Sequence, residues 1–334
     1  MHIDKIDLSR SMYDDAKAAG VTFSEHLQQY AQKKEKLSAE ALTNGLDAFA
    51  QQLAVRGLRL SGSQAALVED FYRTNDNKVL FPEVINKAVR AGMDDNSLLA
   101  GTKDLIATRT GIDGSVYQSA AVDIANSTAK LARVAESAEF PVVTIKFKDK
   151  PIKLHKTGYQ IQQSYETARR MSINYFITVM KQLGRNIETE KVALLVNTLI
   201  NGDGNSNPIS NVASENTVLK YRDVIQLKYA AKKFSLSFMI SDETQAIEYE
   251  CLPEFTSKNG PNMPPAPKVA PAVPAKKIIA LDQKAAIEEI FEKGGSLIEY
   301  DKVIEKQLEN AVISEVVGYS IMFRDASKML MLAS

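Results

Sequence analysis

Ala135-Glu136-Ser137-Ala138-Glu139-Phe140-Pro141 and the residues that follow it, Val142-Val143-Thr144-Ile145-Lys146-Phe147-Lys148, are the stretch on which the fold turns. Val143, Ile145 and Phe147 alternate with Thr144, Lys146 and Lys148, which predicts a strand with one apolar and one polar face. After a turn at Asp149-Lys150-Pro151, Ile152 and Leu154 alternate with Lys153 and His155, and Tyr159 and Ile161 carry the pattern to Ser164. The charged, proline-marked segment Ala135–Pro141 reads as the tip of a long β-arm that leaves near Val116 and returns along these strands. A ribbon with a single apolar side is marginal alone. It has to lie on something.

Working outward, Ser164 is placed to cap a helix, with Glu166 and Thr167 in its first turn. Met171, Tyr175, Val179, Leu183 and Ile187 recur every four residues, and Val192, Leu195 and Leu199 continue the series. About thirty residues at 1.5 Å each predict a rod of roughly 45 Å. Gly184 suits a slight bend or a close crossing, and Gly202 in Asn201-Gly202-Asp203-Gly204 suits a helix stop.

Toward the N-terminus the chain is polar and helical in pattern. Thr22-Phe23-Ser24-Glu25 has the arrangement of a capping box. Further helices are expected over Ala39–Arg56 and Gln64–Tyr72, with Gly57 and Gly62 punctuating the breaks. Either a small bundle capping the core or an N-terminal arm lying across neighbouring subunits satisfies this pattern. Phe81-Pro82-Glu83-Val84-Ile85 reads as an extended segment turning into a short helix, and Leu105–Ala107 as a short strand. Beyond Gly202, Asn205–Glu215 reads as a polar loop, Tyr221–Lys233 as an amphipathic helix and Ser237–Ser241 as a buried strand. Six prolines within 261–274 favour an extended, solvated connector. Lys277–Leu281 is expected as a strand, Ala285–Lys293 as a helix capped by Asp282, and Val303–Leu308 and Tyr319–Arg324 as closing strands.

Lysine plus arginine and aspartate plus glutamate both total 41 in 334 residues, so no overall field drives tight nucleic-acid binding, and any DNA contact should be local and salt-sensitive. One cysteine, Cys251, excludes an intramolecular disulfide framework and reads as a small buried hydrophobe. No early apolar run resembles a signal peptide and none is long enough to span a bilayer, which leads us to expect synthesis in the cytoplasm and no membrane partner.

The search for chemistry excludes more than it finds. There is no dinucleotide fingerprint, phosphate loop, His-Glu-x-x-His or nucleophile elbow. His2, His26 and His155 are scattered. Asp203-Gly204-Asn205-Ser206-Asn207 begins like a calcium loop, but Pro208 stands where glycine is required and Ser214 where glutamate is. We therefore expect no catalytic residue, no cofactor and no metal: the chain is not read as an enzyme. One charge pattern stands out. Lys146, Lys148, Lys150, Lys153 and Lys156 line the return strand, whereas Glu288, Glu289, Glu292, Glu299, Asp301, Glu305 and Glu309 make a late segment acidic. The basic ribbon of one copy could dock on the acidic face of the next, fixing register more than affinity; edge lysines that merely keep a strand soluble account for the pattern equally well. Contact residues expected on the arm are Glu136, Glu139, Phe140, Lys146, Lys148 and Lys153.

The order of these pieces resembles the tailed-phage major capsid proteins, the Hong Kong 97-type fold. The pieces are Phe81–Ile85 ahead of the arm, Ala135–Pro141 at its tip, Tyr159-Gln160-Ile161-Gln162-Gln163-Ser164-Tyr165-Glu166 leading into the long helix, Lys277–Asp282, and Leu308–Phe323. Each is weak alone, and together they span roughly Phe81 to the C-terminus. The resemblance implies an α+β subunit: an N-terminal helical arm (1–92), a loop-rich lead-in and extended β-loop (93–163), a peripheral domain built on a spine helix (164–201), an axial domain (202–295) and return strands of the peripheral domain (296–334). It implies self-assembly as pentamers and hexamers into an icosahedral shell around double-stranded DNA, in a virion assembled in the host cytoplasm. Portal, scaffolding or decoration proteins would be further partners. The first helices are expected to be retained rather than cleaved away, and no motif assigns a cross-linking lysine. Two rivals share parts of this reading: an encapsulin-type compartment of the same fold, which packages enzymes, and another virion part such as a tail or portal protein.

Overall fold

The computed structural model describes residues 4–34, 36–38, 42–43, 45–95, 98–122, 145–231, 233–256, 265–293, 297–303 and 308–333. The arm tip Ala135–Pro141, with Glu136, Glu139 and Phe140, and the strand residues Val143 and Thr144 lie outside them. In chain order the strands are β1 (Thr108–Ile112), β2 (Val116–Tyr117), β3 (Ala120–Val122), β4 (Ile145–Phe147), β5 (Ile152–Lys153), β6 (His155–Ser164), β7 (Ser210–Ala213), β8 (Phe238–Ser241), β9 (Lys268–Val269), β10 (Lys277–Leu281), β11 (Ile287–Glu292), β12 (Leu297–Val303), β13 (Leu308–Ile321) and β14 (Ser327–Met331). The chain divides into two units. One holds 1–95, 156–188 and 293–315; the other holds 96–155, 189–292 and 316–334.

In the first unit, helices Ser11–Ala18, Phe23–Lys33, Ala48–Val55 and Asn75–Met93 share a core with the leading half of the long helix Ile173–Asn201. The capping box forms as expected: Thr22 Oγ1 accepts from the Glu25 N–H at 3.2 Å, and the Glu25 carboxylate accepts from the Thr22 N–H at 2.8 Å. Leu27, Phe49, Phe71, Leu80 and Phe81 are buried here, so the segment read as an arm supplies much of its own unit's core. Its few large apolar side chains suffice because they converge: the Phe81 ring lies 5.4 Å from both Phe71 and Phe176 and 5.3 Å from Tyr72.

The expected extended stretch Phe81–Ile85 is instead the middle of a 19-residue helix with Pro82 inside it. An interior proline costs about 3 kcal/mol, but this helix also buries Val79, Leu80, Phe81, Val84, Ile85, Ala88 and Val89. Packing overrides local preference. Of the helix expected over Ala39–Arg56, the segment Ala48–Val55 is helical and capped by Asp47, and the helix expected over Gln64–Tyr72 is a 3-10 turn, Val68–Tyr72.

Ser164 does cap a helix, but only Tyr165–Arg170. The chain then runs extended at Met171, where the Val68 N–H donates to the Met171 carbonyl at 3.1 Å and the Ile173 N–H to the Ala66 carbonyl at 2.8 Å. The long helix restarts at Ile173, its Tyr175 N–H bonded to the Ser172 hydroxyl. The four-residue stripe read from the sequence also drifts. Each such step advances about 40° around a helix, and Tyr175 and Val179 come out exposed while Ile173, Phe176 and Met180 are buried. The close crossing expected at Gly184 is present: a Cβ there would stand 2.1 Å from the Val89 carbonyl oxygen, and one at Gly92 would stand 2.0 Å from that of Lys181. In this unit β13 pairs antiparallel with β12, and β6 also pairs with β13.

The second unit is organised on a five-stranded sheet, β7-β14-β10-β8-β9, with β10 antiparallel to both its neighbours. Lys277–Leu281 is the strand expected, and its alternation builds two layers. Ile278 and Ala280 pack with Val224, Leu227 and Tyr249 from helices Tyr221–Ala230 and Glu243–Glu250. Ile279 and Leu281 pack with Val192, Leu195, Val196 and Leu199 from the trailing half of the long helix.

Four expectations fail in this unit. Ala285–Lys293 is not a helix: Asp282 caps only a turn, and Ile287–Glu292 is strand β11, parallel to β1 and antiparallel to β13. The described part of the proline-rich stretch is packed rather than solvated, with Ala270 and Val273 buried and β9 hydrogen-bonded at the sheet edge, where prolines are tolerated. Cys251 is exposed. Leu105 also ends a short helix, Thr102–Leu105, rather than starting a strand, and the strand begins at Thr108.

Candidate functional site

The root of the β-arm is where the described residues concentrate unusual chemistry. Outgoing β2 and β3 pair antiparallel with returning β5 and β4. The ladder changes register between them. Ala120 faces Phe147 and Tyr117 faces Ile152, so Gln118 and Ser119 stand opposite the four residues 148–151. This is a bulge, a device that re-aims a strand.

The bulge decides which face turns inward. Ser119, Lys148, Ile152 and Leu154 are buried, whereas Val116, Phe147 and Lys153 are exposed, Val116 at 54% and Phe147 at 68%. The alternation expected for Phe147 and Lys148 is therefore inverted. Lys146 and Lys153 are exposed. Lys148 is not: its ammonium donates to Asp203 Oδ2 at 2.6 Å, Ser320 Oγ at 2.8 Å and the Ile321 carbonyl at 2.7 Å. All three N–H donors are used inside its own chain.

Asp203 is the partner that makes this burial tolerable. Gly202, with φ at +87°, turns the chain out of the long helix and delivers Asp203 into the unit. The side chain of Asp203 is fully buried. Its Oδ2 also accepts from the Ile321 N–H at 3.0 Å, and its Oδ1 from the Asn205 N–H at 3.2 Å and side-chain amide at 3.0 Å. Burial alone would raise its pKa; hydrogen bonds from Lys148 and Asn205, the Lys148 charge and the Ile321 N–H outweigh that and hold it at about 2. Asn205 reaches further: its side-chain oxygen accepts from the Lys150 N–H at 2.9 Å and its amide donates to the Lys150 carbonyl at 3.2 Å, replacing the ladder partner that the bulge removes.

The outgoing strand has its own tether. The Glu288 carboxylate accepts from Thr110 Oγ1 at 2.6 Å, Ser119 Oγ at 3.2 Å and Tyr117 Oη at 3.3 Å. Burial and the adjoining Glu288 charge raise the Tyr117 pKa. Glu289, 1% exposed, pairs with Arg109 and lies 3.7 Å from Lys191 Nζ. Two of the seven acidic residues expected to receive a neighbour's lysines, Glu288 and Glu289, are thus occupied within their own unit. What sequence reasoning missed is Asp203 and Asn205. Their signal was present, a carboxylate and an amide in a glycine-rich helix exit, but their partners lie 55 residues away.

Among the described residues no group of His, Cys, Asp or Glu is arranged to hold a metal ion, and no helix is long and apolar enough to cross a membrane.

No protein-family model and no curated protein matches this chain. Solved structures do. The capsid of a native GTA particle superposes with a TM-score of 0.53 at 14% identity, over 72% of this chain and 93% of that one. The capsid of the empty GTA particle gives 0.50 at 14% identity, over 72% and 92%. The holo-SrpI encapsulin complex from Synechococcus elongatus PCC 7942 scores 0.46 at 16% identity, over 67% and 84%. The α+β architecture described above is the capsid fold of the Hong Kong 97 type.

Proposed function

We propose that this chain, which carries the Hong Kong 97-type capsid fold, is a shell-building subunit: a major capsid protein that assembles as pentamers and hexamers into an icosahedral shell enclosing double-stranded DNA. One observation carries the reading beyond the fold. The outward face of the arm root leaves Phe147 and Val116 exposed although the inward face is tied down by Lys148 and Glu288. A ribbon anchored on one side that leaves Val116 and Phe147 exposed on the other is suited to be covered by another copy.

On this reading the contact residues are Glu136, Glu139, Phe140, Lys146 and Lys153, with Phe147 and Val116 added and Lys148 withdrawn because it is buried in its own chain. With a balanced total charge, contact with the enclosed DNA would be non-specific, local and salt-dependent. Portal, scaffolding or decoration proteins are further partners of such a shell, in a virion assembled in the host cytoplasm. Electron microscopy of the purified protein tests the proposal directly. Closed particles with local five- and six-fold clusters and nuclease-protected DNA are expected; protein cargo without DNA would assign an encapsulin-type compartment, and the absence of closed particles would refute shell building. Deleting Ala135–Pro141 should leave soluble, folded protein that forms no stable shell.

A further inference from the structure

We infer that Lys148, Asp203 and Asn205 act as positioning residues that fix the orientation of the arm-root strands β2 to β5, selecting one geometry of the root rather than adding stability. The inference rests on the shell-building reading. Every donor and acceptor in the group is committed: Lys148 makes three hydrogen bonds, and Asp203 gathers the Ile321 N–H on one oxygen and Asn205 on the other. Exchanging a buried ion pair for apolar side chains of similar size is often neutral or favourable for stability. What apolar side chains do not reproduce is direction. An ammonium held at three fixed acceptors admits one orientation of the strand that bears it, whereas a methionine in the same space admits several.

The group also sits where orientation is decided. The register change at 148–151 bends the returning strand, and a bulge left to itself can relax. Asn205 removes that freedom by bonding both the N–H and the carbonyl of Lys150. Lys148 itself donates its backbone N–H to the Ser119 carbonyl at 2.9 Å, so the same residue joins the outgoing strand, the returning strand and the Asp203 loop. One residue further along, Phe147 is exposed. These two residues, adjacent in the chain, turn one side chain into the unit and the other out of it. A small rotation of these paired strands re-aims the exposed Phe147 and Val116 that they would present to a second copy.

The test compares wild type with K148M/D203L, in which apolar side chains replace the pair, and with N205A, which removes only the clasp on Lys150. Three quantities are measured on full-length protein: thermal unfolding, hydrogen exchange of peptides covering 116–122 and 145–154, and particle diameter by electron microscopy. The inference expects the double variant to melt within a few degrees of wild type while exchange at the arm root rises about tenfold. Its particles should lose uniform diameter or fall about tenfold in yield. N205A should shift exchange and particle uniformity in the same direction and by less. Unchanged exchange with uniform shells in both variants would overturn the inference. So would a double variant that has lost its cooperative unfolding transition, because the pair would then be a stability element. If wild type itself forms no particles, the shell-building reading fails while the exchange comparison still decides whether these residues hold the arm root.

Discussion

A carboxylate with all its lone pairs engaged makes acid the most direct probe of the arm root. The Asp203 carboxyl is held at about 2 in the folded chain against an ordinary value of 3.8. A lowered folded pKa means the stabilisation is complete above about pH 4, where the unfolded chain is also ionised, and drains away as pH falls from there toward 2. Acid unfolding of wild type should therefore steepen across that window, followed by circular dichroism. D203N should flatten this window. At neutral pH it should also lose about 3–5 kcal/mol, because the Lys148 ammonium stays buried without its counter-charge. A flat wild-type profile between pH 4 and 2 would show that Asp203 is not ionised against Lys148.

Among elements, the crossing of helix Asn75–Met93 with the long helix is the contact most sensitive to size. Gly92 and Gly184 let one backbone touch the other, and an added Cβ at either position meets a carbonyl oxygen near 2 Å. Backbone cannot swing aside as a side-chain tip can, so G92A or G184A should cost about 1–3 kcal/mol in denaturant unfolding even though alanine is the better helix former. F81A, which empties the aromatic cluster nearby, should cost about 3–5 kcal/mol. These helices also show what the sequence made legible. Gly184 announced a close approach, Thr22 and Glu25 announced a helix start, and Lys277–Leu281 announced a strand, because each is a local signal with a local cause. Phe81–Ile85 and Ile287–Glu292 misled for the converse reason. Pro82 argues for a break, and the turn capped by Asp282 argues for a helix, but the deciding partners, Phe176 for one and the β1 and β13 strands for the other, are remote in sequence. The break at Met171–Ser172 was hidden similarly: the residues that hold it open, Ala66 and Val68, lie a hundred positions upstream.

For the whole molecule the question is which force closes the contact between copies. Pairing of a basic ribbon with an acidic face was the sequence-level expectation, and three of its charges are spent within the chain: Lys148 on Asp203, Glu288 on the outgoing strand, and Glu289 on Arg109 and Lys191. The apolar outer face remains, and with equal numbers of acidic and basic residues the chain carries no net repulsion to overcome. Assembly should then be driven by burial, at about 1.5–3 kcal/mol for a large side chain such as Phe147, and so should persist at high salt, where charge-driven docking would weaken. Two variants separate the cases. V116S/F147S alters side chains that are already exposed, so the unfolding free energy of the unassembled subunit should stay within about 0.5 kcal/mol of wild type, while the concentration needed for particle formation, followed by light scattering, rises at least about tenfold because every contact in the shell is weakened. K146E/K153E should slow assembly at low salt and have little effect at 0.5 M salt, a concentration chosen to bring the screening length down to roughly 4 Å. Should K146E/K153E abolish particles at both salt concentrations while V116S/F147S assembles normally, the contact is electrostatic after all, and the exposure of Phe147 has another cause.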